Sequence, residues 1–138
     1  MEGYVKKELV KELKNVSKRM LDEPELVKKL FYYSAAYGAV DRTMRYGFTK
    51  QLLMAHTILN VTYNAYKERL RAIAGGDSVV PLTIGQLDRT AELVRDLGDA
   101  FNKGIDVNGI LADIMLLAYM STGPGHYLNE NGAFEGLI

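Results

Sequence analysis

The sequence predicts an all-α protein, built as a bundle of about five helices with an extended N-terminal helical arm and an irregular C-terminal tail. Apolar residues recur at steps of three and four in several stretches, which is the period of an amphipathic helix. Residues that start and stop helices separate these stretches, and none shows the strict alternation of a strand. With 138 residues, 48% of them hydrophobic and 25% charged, the chain has the size and composition of one globular domain.

The first helix is predicted to run from about Tyr4 to Leu21. Its apolar face carries Leu9, Leu13, Val16 and Met20. A stripe of ammonium groups lies nearly opposite and consists of Lys7, Lys11, Lys14 and Lys18. Because both sets repeat with the helical period, we expect an amphipathic helix whose basic outer face is partly offset by Glu8 and Glu12.

The second helix is predicted to start around Pro24, because proline suits a first helical turn and Asp22 or Glu23 can cap it. Its apolar side is expected to consist of Leu26, Leu30, Phe31, Tyr33 and Tyr37. Tyr46 and Gly47 are expected to end any helix that continues through the middle of this segment.

Thr49 is the predicted cap of the longest helix, which continues to about Ala74 and closes at Gly75 and Gly76. Its seam, mostly apolar, comprises Leu52, His56, Leu59, Tyr63, Tyr66, Leu70 and Ile73. Another face carries a polar row of Asn60, Asn64, Lys67 and Arg71. The alternating steps of four and three along the seam predict packing against a partner helix.

Pro81 and Leu82 lead into the fourth helix, where Thr83 and Gln86 have the spacing of a capping box. The residues predicted to face inward are Leu87, Ala91, Val94, Leu97 and Phe101. The outer face carries an acidic row of Asp88, Glu92, Asp96 and Asp99. Gly104 is expected to stop the helix.

Asp106 is the predicted cap of a fifth helix over Ile110–Met120. This helix is apolar nearly all round, so we expect burial on several sides, including against another subunit. An irregular tail over residues 121–138 follows, without helical period but with apolar residues near its end. We divide the chain into an N-terminal helical arm (1–47) and a helical-bundle core with its tail (48–138), within a single structural domain.

Charge is divided between the two halves of the chain. Residues 1–72 hold 14 Lys and Arg against 8 Asp and Glu, whereas residues 73–138 hold 3 against 9. The formal net charge of 0 therefore conceals +6 in the first half and −6 in the second. Such a division favours a polyanion as partner of the basic half, and it equally allows head-to-tail self-association of subunits.

Nothing in the sequence predicts an enzyme, a metal site or a bound cofactor. There is no cysteine, and the two histidines, His56 and His126, lack metal-ligand spacing. His56 is expected to be a hydrogen-bonded core histidine, and the acidic row is more typical of a solvated face than of a cation site. No apolar run reaches the roughly 18 residues of a membrane span, and the charged start is unlike a signal peptide, so we expect synthesis inside the cell.

Basic residues are the best candidates for a functional site. Ten candidates precede the third helix or begin it, namely Lys7, Lys11, Lys14, Lys18, Arg19, Lys28, Lys29, Arg42, Arg45 and Lys50. The polar row, Asn60, Asn64, Lys67 and Arg71, adds groups suited to phosphate or 2′-position contacts. Spaced cations bind phosphate backbones through counterion release, and no base-reading motif is present. We therefore predict nucleic-acid binding without sequence specificity, the alternative being that these stripes are solvated helix faces.

Four segments resemble the major coat proteins of filamentous and rod-shaped viruses of hyperthermophilic archaea, the rudivirus, lipothrixvirus and tristromavirus group. They are the turn Tyr46–Thr49 before the long helix and the glycine-rich exit of that helix, Leu70–Gly76. The other two are the helix entry Pro81–Thr83 and the segment Ser121–Tyr127 after the last apolar helix. Together they follow the order and approximate spacing of that family over most of the chain.

This resemblance implies a coat subunit that pairs with a second copy or with a paralogous coat protein. Such pairs clamp linear double-stranded DNA in A-form, with N-terminal helices around the duplex, and form a helical filament. The basic residues of 1–50 and the polar row would then face DNA, while the fifth helix and the tail would join subunits. The protein would belong to the virion after synthesis in the host cytoplasm. Glu2, Glu8 and Glu12 depart from this pattern, since they make the first helix less cationic than a DNA-binding arm.

Two other functions fit the sequence. A small helical subunit of a nucleic-acid-guided defence complex would also carry basic helices without an active site. It would prefer a protein partner, and single-stranded or guide-paired nucleic acid, over plain duplex. An enzyme or ligand-binding helical bundle would have only His56 and the acidic row for its chemistry.

Overall fold

In the computed structural model, which describes residues 3–76 and 82–120, every regular element is an α-helix. The helices are α1 (Gly3–Asp22), α2 (Leu26–Met44), α3 (Lys50–Ala74), α4 (Ile84–Lys103) and α5 (Asn108–Met120). The prediction of an all-α bundle of about five helices is thereby confirmed. The predicted tail with His126, the Ser121–Tyr127 segment and Pro81 lie outside the described residues.

Three of the predicted helix ends have the expected geometry. The Thr49 side chain accepts a hydrogen bond from the Leu52 amide at 3.1 Å at the start of α3. Thr83 and Gln86 form the reciprocal capping box of α4, at 3.1 and 3.0 Å. Gly104 ends α4 with φ at 69°, a left-handed conformation that favours glycine.

The start of α2 differs from the prediction. Its N-cap is Glu25, whose side chain makes no capping bond, and the Glu23 carboxylate instead accepts from the Glu25 amide at 3.2 Å. Pro24 therefore precedes the helix and does not lie in its first turn. At α5, Asp106 accepts from the Asn108 amide at 2.9 Å, and the helix begins two residues earlier than expected.

The helices form a ring in the order α1, α2, α3, α5, α4, in which α4 also packs against α1 and α2 meets α4 across the ring. Every helix contributes a completely buried side chain to the common core, as illustrated by Leu13, Val40, Leu59, Leu97 and Ile114. This order means that α1, α2 and α3, which hold most of the basic residues, are consecutive neighbours.

The first helix belongs to this bundle and does not extend from it as the expected arm. The apolar face of α1 is buried against α4 and α2. Gly98 of α4 permits a close approach, because a Cβ atom there would lie 3.3 Å from the Leu13 Cβ and 3.6 Å from the Val10 carbonyl oxygen. The apolar stripe of α1 is stabilised when it is removed from water, and the inward face of α4 packs over it.

Two buried tyrosines connect α3 to α2 and to α4 through hydroxyl groups. Tyr33 of α2 is hydrogen-bonded to Thr62, and Tyr66 of α3 is hydrogen-bonded to Thr90 at 2.8 Å. Both threonine hydroxyls also donate to a carbonyl of their own helix, so each tyrosine is the donor to its threonine. Burial raises the pKa of Tyr33 and of Tyr66 far above the ordinary value for tyrosine.

Candidate nucleic-acid interface

The outer face of α1 carries the least neutralised part of the predicted basic set. Lys7, Lys11 and Lys18 are exposed, and no acidic side chain among the described residues lies within ion-pair distance of them. Arg19 lies beside this stripe, with its guanidinium carbon 5.9 Å from the centroid of the Tyr32 ring. The lysines are held outward because the opposite face of the helix is buried in the core.

Five other candidate cations form ion pairs with partly or fully exposed acidic residues. These pairs are Lys14–Asp99 at 3.1 Å, Lys28–Glu25 at 3.7 Å, Arg42–Glu12 at 2.7 Å, Arg45–Asp41 at 3.5 Å and Arg71–Glu68 at 3.3 Å. An exposed ion pair contributes only about 0–1 kcal/mol, so these cations can exchange a carboxylate for a phosphate at little cost. Lys50 is exposed at the start of α3.

Lys29 cannot belong to a nucleic-acid interface, and its prediction as a binding residue is wrong. Its side chain is 2% exposed, and Nζ donates to Asp88 of α4 at 2.6 Å and to the Met20 carbonyl of α1 at 2.5 Å. A buried ammonium group is stable only when it is paired and hydrogen-bonded, and here both conditions hold. Lys29 therefore joins three helices.

The acidic row of α4 is paired with cations of this same chain. Its pairs are Asp88–Lys29, Asp99–Lys14, Glu92–Arg89 and Asp96–Arg95, at distances from 2.6 to 3.5 Å. Two of these cations belong to the basic half of the sequence. Part of the charge division between the two halves is thus neutralised within the molecule, where α4 packs against α1 and α2.

A groove between α2 and α3 contains side chains that the sequence analysis did not assign to a site. Phe31 was expected in the apolar side of α2, yet it is 69% exposed, and Val27 beside it is exposed as well. Phe31 follows Leu30 by one residue, which turns it about 100° away from the core stripe. Counting the helical angle at Phe31 could have revealed this exposure from the sequence.

We name this feature the α2–α3 groove; it has a volume of about 370 Å³. It is lined by Val27, Leu30, Phe31, Tyr63, Lys67, Leu70, Arg71 and Ala74. Two members of the predicted polar row, Lys67 and Arg71, thus meet an apolar floor and an exposed aromatic ring. The Lys67 ammonium lies 6.0 Å from the centroid of the Tyr63 ring.

The other two members of the polar row, Asn60 and Asn64, are exposed further along α3 towards its start. The Asn64 amide donates to the Asn60 side-chain oxygen at 3.2 Å. The row therefore forms one outward strip of amide and cationic groups, as its helical spacing predicts.

His56 is hydrogen-bonded, as expected, but it is half-buried and does not lie in the core. Its Nε2 lies 3.1 Å from Asp41 Oδ1, and its ring packs against Tyr37 with 4.5 Å between centroids. These contacts tie α3 to α2. In the part of the chain that the structure describes, no group of three or more His, Cys, Asp or Glu side chains could hold a metal ion. Within residues 3–76 and 82–120, no helix combines the length and the apolar character needed to cross a membrane.

No protein-family model matches this chain, and comparisons with curated proteins and with solved structures give no match either.

Proposed function

We propose that the protein is a non-enzymatic structural subunit that binds nucleic acid without sequence specificity inside a larger assembly. The observation that supports this proposal is the arrangement of exposed cations on three consecutive helices, α1, α2 and α3. The α1 stripe of Lys7, Lys11 and Lys18 is its strongest part, since these side chains face solvent without an acidic partner among the described residues. A polyanion lying across these helices would release counterions at several positions at once.

One form of the proposal follows the coat-protein resemblance. The subunit would pair with itself or with a paralogue and wrap linear double-stranded DNA, held in A-form, into the helical filament of a virion. Because α1 is part of the bundle, the outer faces of α1, α2 and α3 would have to follow the duplex in place of a free arm. The basic side would then face DNA, and the α5 side would face other subunits.

A second form is a small subunit of a nucleic-acid-guided complex, and the packing of α1 favours it. Within residues 3–76 and 82–120, the closed five-helix bundle has no extended element with which to embrace a duplex, but it can lie against nucleic acid on one side and a protein on another. Exposed apolar side chains of α3 and α5, Val61, Met115 and Tyr119, provide an uncharged surface away from the α1 stripe that suits a protein partner.

The shared part of the proposal is tested by binding to a short labelled DNA duplex as salt is varied. We expect binding at about 50 mM NaCl that weakens by orders of magnitude towards about 300 mM. Lys11→Gln should reduce the slope of log K against log salt by about 1. The matched control is Lys103→Gln at the end of α4, outside the proposed face, which should leave the slope unchanged.

Electron microscopy of the protein with linear duplex DNA separates the two forms. Filaments would support the coat protein, whereas preferential binding of single strands or RNA–DNA hybrids without filaments would support the guided complex. Absence of binding to every one of these nucleic acids at about 50 mM NaCl would contradict both forms.

A further inference from the structure

We infer that the α2–α3 groove is a stacking site for unpaired nucleobases, with Phe31 as the platform and Lys67 and Arg71 as contacts for the adjoining phosphates. This inference rests on the proposed function and assigns the α2–α3 groove to single-stranded nucleic acid. It names a site that differs from the α1 lysine stripe, which contacts only the backbone.

Phe31 has the exposure and the surroundings that base stacking needs. Isolated exposed apolar residues are common on proteins, but Phe31 lines a concave groove whose apolar surface continues through Leu30 and Leu70. The Phe31 ring makes an edge contact with Tyr32, with 6.0 Å between centroids and 65° between planes. The groove volume of about 370 Å³ lies within the range of small-molecule sites, roughly 300–1,000 Å³, so a flat ring fits.

The positive charge of the groove is complementary to the phosphate of a nucleotide. Its lining includes two cations and no acidic side chain. The partner of Arg71, Glu68, forms an exposed ion pair with it at 3.3 Å, and such a pair yields readily to a phosphate. A nucleotide combines a flat ring with an anion, and Phe31 lies in the same groove as the two cations that would receive that anion.

The polar row favours nucleic acid over an acidic peptide as the occupant. An acidic amphipathic helix could also place apolar and anionic groups in this groove. However, the strip on α3 continues from Lys67 to Asn64 and Asn60, whose amides can both donate and accept. Base edges and ribose hydroxyls offer both kinds of partner, whereas carboxylates only accept.

Base pairing should exclude a nucleic acid from this groove. Bases in a duplex are stacked on one another, so a phenyl ring beside the helix reaches no base face. Phe31 should therefore contribute to binding of single strands and contribute little to binding of duplex. The α1 stripe should contribute to both.

The test measures fluorescence anisotropy of labelled oligo-dT and oligo-U of about 12 nucleotides, and of a duplex of the same length. We expect Phe31→Ala to weaken single-strand binding about 10- to 100-fold and to change duplex binding by less than about 2-fold. Phe31→Tyr keeps an aromatic ring and should bind like the wild type. The matched control is Phe48→Ala, because Phe48 is 64% exposed in the α2–α3 turn and does not line the groove.

Three outcomes would overturn the inference. If Phe31→Ala binds single strands as tightly as the wild type does, the groove does not stack bases, and an acidic peptide becomes its better occupant. Equal weakening of single-strand and duplex binding would likewise contradict stacking, provided that the melting temperature is unchanged. If the wild type binds neither strand form, the proposed function itself fails, and the inference fails with it.

Discussion

Tyr33 and Tyr66 are the largest completely buried side chains with a hydroxyl among the described residues, and each donates a hydrogen bond to a threonine of another helix. Such hydroxyls must stay protonated, because a phenolate in this environment would be desolvated. Because the pKa of both hydroxyls is raised in the folded protein, the stability of the fold depends on pH in the alkaline range.

We predict that the free energy of unfolding falls as pH rises above about 10. The unfolded tyrosines lose protons near their ordinary pKa of about 10, while the folded ones keep theirs, so the unfolded state binds fewer protons. Each buried tyrosine should contribute about 1.4 kcal/mol of lost stability per pH unit over this range. Urea unfolding from about pH 9 to about pH 11.5 measures the slope.

Replacement of the tyrosines isolates their share of this slope. The two buried tyrosines together cause part of the fall in unfolding free energy with pH. Tyr66→Phe should remove about half of that part, and the double variant with Tyr33→Phe should remove nearly all of it. Tyr46→Phe is the matched control, since the Tyr46 side chain is exposed. If the double variant loses stability with pH as steeply as the wild type, the buried hydroxyls are not the cause.

Some residue roles could not have been predicted from the sequence. Lys28 and Lys29 are adjacent lysines in the same helical segment, and both were predicted to bind nucleic acid. Lys29 lies on the buried face of α2, four residues before Tyr33, and reaches Asp88 of α4, whereas Lys28 stays on the surface. A buried lysine is revealed by its partner, and that partner lies 59 residues further along the chain.

At the scale of the elements, the contact between α1 and α4 depends on a residue without a side chain. Gly98 faces α1 at a point where even a Cβ atom would be closer than usual to Leu13. Helices that pack this closely separate when bulk is introduced, and the separation uncovers apolar surface along their whole length.

We predict that Gly98→Val destabilises the protein by about 1–3 kcal/mol, because two methyl groups must enter a packed contact. Urea unfolding measures the change. The control is Gly109→Val near the start of α5, where nothing lies within 4 Å of an added Cβ atom. A projecting α1 arm would make the two variants equivalent, so equal stability would contradict the packing of α1 described above.

Local sequence signals predicted the helices and their ends well, but they did not predict which helices pack against one another. Thr49 and Thr83 mark helix starts through hydrogen bonds to residues three positions away, and Gly104 marks an end through its own backbone angle. All three were evident in the sequence. The ring order depends on contacts such as that of Gly98 with Leu13, which join distant segments and leave no local pattern.

At the scale of the whole molecule, the internal pairing of the α4 acidic row argues against self-association by charge. Its carboxylates already have partners within the chain. Exposed ion pairs contribute only about 0–1 kcal/mol, so these carboxylates would gain little by exchanging a cation of their own chain for one on another subunit.

We predict that, without nucleic acid, the molar mass in solution is the same at about 50 mM and about 500 mM NaCl, since salt screens only charge-driven contacts between subunits. Light scattering coupled to size-exclusion chromatography measures it. Apolar contacts through α5 would survive at both concentrations and would not alter this expectation. Oligomers that form at low salt and dissociate at high salt would show that the charge division joins subunits head to tail.

The ring order of the helices also determines how long the apolar stripe of α1 stays exposed in the nascent chain on the ribosome. α1 ends at Asp22, and α4, which closes over it, begins only at Ile84. At about 5–20 residues per second, roughly 3 to 12 seconds pass between the synthesis of the two. Of the two described helices that pack against α1, α2 and α4, only α2 is available during that interval to cover its apolar stripe. Chaperone binding to nascent chains should therefore be strongest in this window and should decline once α4 has emerged.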